Sequence, residues 1–157
     1  MIIKIKGGTR SQQKYVRRLT KYCVNKMMPR MHSLEFNIHL HSFNGDKDTH
    51  GYCVPDQSAN RDRPREFNIE LNKGVKLRRL LETLAHELVH AKQYARGELY
   101  QSTITAKSRW HGKWIARDPN YWDCPWEIEA HGREAGLFIQ WCEKERIGHL
   151  LWTQQGA

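Results

Sequence analysis

The chain has 157 residues, 39% of them hydrophobic and 27% charged, with a formal net charge of +9. That length allows one domain with a real core and leaves little room for a second, and no run of about 18 apolar residues offers a bilayer span. Met1–Gly8 lacks the long apolar stretch of a secretion signal, so the expectation is one cytoplasmic domain over 1–157, without a membrane partner. Cys23, Cys53, Cys124 and Cys142 are far apart with no C-x-x-C pair, which argues for reduced thiols and against a zinc ribbon.

In chain order, Ile2–Lys6 reads as a strand and Ser11–Met28 as a helix. Residues 1–34 carry nine Lys or Arg and no acid, which accounts for the whole charge excess. Tyr15, Val16, Leu19, Tyr22, Cys23 and Met27 make one apolar face of that helix. Arg10, Lys14, Arg17 and Lys21 form a basic ridge on another, a face suited to a phosphate backbone or simply to water. Leu34–Leu40 alternates as a half-buried strand does. His39 and His41 share one side of it, near His32; they could imitate a second metal site, but solvent-facing histidines are the expectation. A turn at Asn44–Asp48 leads to a weaker strand at Gly51–Val54, then a polar loop from Asp56 to Arg65. Phe67–Leu71 alternates again and is expected to be the edge strand of a cleft, open to pairing with an extended peptide. Val75–Arg96 is an amphipathic helix with Gly97 as its stop. An irregular, aromatic segment containing Trp110, Trp114, Tyr121 and Trp122 follows and is expected to wall the cleft. Trp126–Lys144 forms a last helix with Ala130, Leu137, Phe138 and Trp141 inward, and the tail from Gly148 is expected to be loose.

The chemistry lies in His86-Glu87-Leu88-Val89-His90. Histidines four apart share a helix face, and two neutral imidazoles there can hold one Zn²⁺. Glu87 is placed to take a proton from a water activated by the metal, first as general base and then as donor to the leaving group. Catalytic zinc takes three protein ligands, so a third must lie downstream. Glu127, opening the last helix, is favoured because a helix fixes a ligand well; His111, in a loop before Gly112, is the alternative, with Glu129 behind both. His131, one turn from Glu127, and Tyr121 are candidates to stabilise the tetrahedral oxyanion.

Over roughly residues 65 to 140 the chain resembles the SprT-like branch of the zincin metallopeptidases, in its small single-domain phage or bacterial form; His86–His90 is the most specific part. Trp110-His111-Gly112-Lys113-Trp114 is similar to the H-G-x-x-F/W element that supplies a third zinc histidine in SprT and Spartan relatives. Glu127-Ile128-Glu129-Ala130-His131 is similar to the E-x-x-A-D/N element of gluzincins, whose first Glu is the ligand, with His131 where Asp or Asn is usual. The resemblance implies an α+β zincin-like fold with a small mixed sheet and a zinc-dependent hydrolysis of peptide bonds. Two alternatives stand beside it: a DNA-associated protease using the basic helix, and a zinc-binding protein of the same fold without turnover.

Overall fold

The computed structural model describes residues 1–44, 48–56, 58, 62–115 and 119–156. Parts of the expected turn at 44–48, of the polar loop at 56–65 and of the aromatic segment lie outside the described residues.

Four strands, β1 (Ile2–Gly7), β2 (Glu35–His41), β3 (Gly51–Pro55) and β4 (Glu66–Asn72), form a mixed sheet in the order β1-β2-β4-β3. The first three in that order run parallel, and β3 is antiparallel beside β4. The register pairs Phe36 with Phe67, Ile38 with Ile69 and Leu40 with Leu71, and all six are buried on one face. The Phe36 and Phe67 rings stack at 5.6 Å. The other face carries Asn37, His39, Asn68 and Glu70 and is at least partly open to solvent.

The alternation of β4 therefore reports an uncovered sheet face. The expectation that Phe67–Leu71 forms the cleft edge is overturned, because β4 is paired on both sides and β3 is the edge. Alternating polarity shows which faces are wet but says nothing about which backbone groups lack a partner.

Helix α1 (Arg10–Met27) opens with a reciprocal cap: the Gln12 amide N–H donates to Thr9 Oγ1, and the Thr9 N–H donates to Gln12 Oε1. It packs against α2 (Leu77–Ala95), which also contacts β3, β4 and α3 (Pro125–Lys144). With neighbours on both sides, α2 is buried almost all round from Leu84 to Ala95. Each fully buried Leu along it contributes about 1.5–3 kcal/mol of transfer free energy, enough to hold the polar residues of the same helix inside. α2 ends in a Schellman turn: the Glu98 N–H donates to the Gln93 carbonyl and Gly97 to that of Tyr94, with Gly97 at φ +71°.

Three short strands, β5 (Leu99–Gln101), β6 (Ser108–Trp110) and β7 (Lys113–Trp114), form an antiparallel sheet where an irregular segment was expected. The tail is docked, not loose. Helix α4 (Leu151–Gln154) sets the Trp152 ring 4.9 Å from Tyr15, and its Thr153 carbonyl accepts from Arg78. The four cysteines are free thiols. Among the described residues no helix is long and apolar enough to cross a membrane.

Candidate metal centre

α2 carries His86, Glu87 and His90 in its buried middle, at 7%, 5% and 9% exposure. Pro125, preset for a first helical turn, starts α3 so that Glu127 falls in that turn, facing α2. The three metal-binding atoms converge. His86 Nε2 is 3.0 Å from His90 Nε2, and Glu127 Oε2 is 3.3 Å and 3.4 Å from them respectively. Donors held about 2.0–2.2 Å from one tetrahedral zinc are spaced about 3.4 Å apart. A triangle of the observed size admits a point about 2 Å from all three corners.

Which nitrogen of each ring carries the proton follows from the partners. Gln93 Nε2 donates to the Trp126 carbonyl and to Glu129, so Gln93 Oε1 is the atom facing His90 Nδ1, at 2.9 Å. A carbonyl oxygen can only accept, so His90 carries its proton on Nδ1. His86 Nδ1 lies 2.8 Å from Glu134 Oε2, which fixes the same tautomer. Both Nε2 lone pairs then face each other and the buried Glu127 Oε2. Three convergent lone pairs repel unless a cation or a proton sits among them. The donors present fit a divalent transition metal.

The electrostatics agree with this picture. Burial opposes a proton on His86, yet its hydrogen bonds to Glu127 and Glu134 and the charge of Glu87 outweigh it and hold the imidazole up at about 9. Burial pushes Glu127 up too, but its bonds to His86 and His90 bring the carboxyl well below the usual range. Glu87 is raised, chiefly by burial. The site favours positive charge, and burial shifts Glu87 toward its protonated form.

His131 stands at the mouth, its ring 4.5 Å from that of His86, with Nε2 3.0 Å from the Tyr121 hydroxyl and Nδ1 3.4 Å from Glu134. Tyr121 belongs to a short 3-10 turn (Tyr121–Asp123), and burial with its bond to Glu127 raises its hydroxyl, so it stays a donor. Trp122 lies over His131 at 5.2 Å. These residues line a cleft of about 660 Å³, together with His50, Tyr52 and Cys53 from the β3 side.

Comparison with protein-family models, curated proteins and solved structures finds no match. What the centre can do has to be read from its own donors.

The structure brings His86, Glu87, His90, Glu127, His131 and Tyr121 together in this cleft. His111 is elsewhere: it occupies the exposed tip of the β6–β7 hairpin at φ +46°, against the Trp110 ring, outside the cleft lining. Glu129 also faces α2 but lies outside the cleft lining, taken up by Lys92 at 2.7 Å, by Gln93 and by Arg133 at 2.9 Å. Of the aromatic segment, Tyr121 and Trp122 wall the cleft, while Trp110 and Trp114 belong to the small sheet and do not. Two residues went unnoticed in the sequence, Glu134 and Gln93. Glu134 lies seven residues after Glu127, two turns along the same face, and Gln93 lies three after His90. That spacing was available as a signal.

Proposed function

We propose that this chain is a zinc-dependent peptide hydrolase of zincin-like, SprT-like type, with His86, His90 and Glu127 as the metal ligands. The convergence of His86 Nε2, His90 Nε2 and Glu127 Oε2 beside the buried carboxylate of Glu87 carries the reading. When bound, zinc supplies Lewis acidity and brings the pKa of water towards about 7. Glu87, raised by burial, accepts the proton lost by the attacking water and returns it to the leaving amine. Tyr121 and His131, hydrogen-bonded to each other at the cleft mouth, are the groups nearest to where an oxyanion would develop, and the one that turns its proton outward stabilises it. Glu134 and Gln93 hold the two imidazoles in the tautomer that keeps each Nε2 free. The free edge of β3 borders the cleft, so an extended peptide can add to it as a further strand.

The test is elemental analysis of wild type, Glu127→Ala and His111→Ala, alongside peptidase assays of Glu87→Gln. The expected outcome is zinc lost from the α2 centre only in Glu127→Ala. Glu87→Gln keeps its zinc and loses about 10²–10⁴-fold in turnover. Wild-type turnover by Glu87→Gln would sink the general-base assignment, and zinc with no turnover in wild type would leave a binding protein.

A second reading keeps the chemistry and adds an address. Arg10, Lys14, Arg17 and Lys21 are all exposed on α1, and none pairs with a carboxylate among the described residues. That face supports binding to a nucleic-acid backbone near a protein substrate.

A further inference from the structure

The outer face of the sheet holds a second convergence of metal-binding groups. His39 and His41 are two residues apart on β2 and point to the same side, and the register sets His39 opposite Glu70 of β4. Glu70 Oε2 is 3.2 Å from His39 Nδ1 and 2.7 Å from His41 Nε2, and the two rings lie 4.6 Å apart. One carboxylate oxygen thus sits against a nitrogen of each imidazole.

The tautomer of His41 gives this arrangement its meaning. His41 Nδ1 lies 3.2 Å from the Ser42 carbonyl oxygen, which can only accept, so that nitrogen carries the proton. His41 Nε2 then turns a lone pair toward Glu70 Oε2 at 2.7 Å. Two electron-rich atoms at that distance require positive charge between them, from a second proton on the ring or from a metal. A backbone carbonyl that fixes Nδ1–H while Nε2 faces outward is the usual arrangement of a metal-binding histidine. The side chains are between a quarter and two-fifths exposed, so an ion can reach them and leave again. Phe43, with its ring 4.9 Å from His41, and Tyr52, 5.9 Å from Phe43, shield one flank.

We infer that His39, His41 and Glu70 form a second, exchangeable site for a divalent transition metal. Imidazole and carboxylate donors suit Zn²⁺, Cu²⁺ or Ni²⁺. The site shares no residue with the α2 centre and lies on the opposite face of the sheet from α2. Its ion would cross-link β2 to β4 on the solvent side. It acts on stability and on metal count, not on turnover.

The experiment is titration of metal-free protein with Zn²⁺ against a chromophoric chelator, in wild type, His39→Ala/His41→Ala and His86→Ala/His90→Ala. Two equivalents are expected in wild type and one in each double variant. Zn²⁺ should also raise the thermal midpoint of His86→Ala/His90→Ala but lose that effect when His39 and His41 are replaced as well. Circular dichroism without metal confirms that each variant is folded; the replaced side chains on the outer face are partly exposed, so the core is untouched. An unchanged stoichiometry in His39→Ala/His41→Ala overturns the second site, leaving Glu70 in a simple ion pair. An unchanged stoichiometry in His86→Ala/His90→Ala overturns the α2 centre instead, so the two failures are distinguishable.

Discussion

Zinc and protons should compete for the α2 centre, and the competition can be sized. Zinc needs neutral imidazole, but His86 in the metal-free protein holds its proton up to about 9, with Glu127 and Glu134 as the partners that keep it there. At pH 7, two units below, only about one molecule in a hundred is ready, so apparent affinity falls about 100-fold, or about 3 kcal/mol, relative to pH above 9. Metal-free folding has the opposite sign. A folded value raised above the ordinary 6.5 stabilises fully below about 6.5, and that contribution is lost as pH climbs to 9. Raising the pH across that window should therefore weaken the metal-free fold while strengthening metal binding. Calorimetric titration with Zn²⁺ at pH 7.5, in two buffers of different ionisation enthalpy, counts the protons released. His39→Ala/His41→Ala is the protein to use, because it removes the outer-face ligands. At least about one proton should appear per zinc; a water bound beside the metal can only add to that number. Release of less than about half a proton, or an affinity flat from pH 7 to 9, would refute the proton-loaded centre.

Glu134→Gln leaves the three ligands in place but removes the carboxylate behind His86; at pH above about 9, where no proton competes for His86, zinc affinity should fall about 10–100-fold by chelator competition. Gly97→Ala forces a side chain into φ +71° with its Cβ 3.0 Å from Arg63 Nε; the expected cost is about 1–2 kcal/mol, read as a lower urea midpoint with unchanged zinc content. Neutralising Lys14, Arg17 and Lys21 together should abolish any salt-sensitive DNA binding in a mobility-shift titration while leaving zinc content at the wild-type value.

The long helices were legible because their apolar positions repeat at helical spacing over about three turns, as Leu80, Leu81, Leu84, Leu88 and Val89 do. The strands β5 to β7 were not, since two or three residues are too few for alternation to register. The tail looked loose because Trp152 is a single anchor without periodicity, and only the fold brings it to Tyr15. Around the centre, His86, Glu87, His90 and Glu127 could be singled out from residue type and spacing alone. Choosing between Glu127 and His111 needs tertiary placement, because nothing local states that α3 lies against α2 while the hairpin tip points away. Glu134 and Gln93 are only half legible: their spacing puts them on the right helix faces, but which ring nitrogen each one meets is set by the folded backbone.

The amide of Gln93 grips His90 with one end and the Trp126 backbone and Glu129 with the other. Sliding α3 away from α2 would release the imidazole at the same moment as it withdrew Glu127, so the pair of helices is a poor hinge for opening the cleft. The most exposed part of the cleft wall is Tyr121 and Trp122, on a three-residue turn that leads into α3, 48% and 68% exposed. Tyr121 also touches Glu127 and His131, so whatever displaces these rings is felt at the centre behind them, and aromatic fluorescence there would report it.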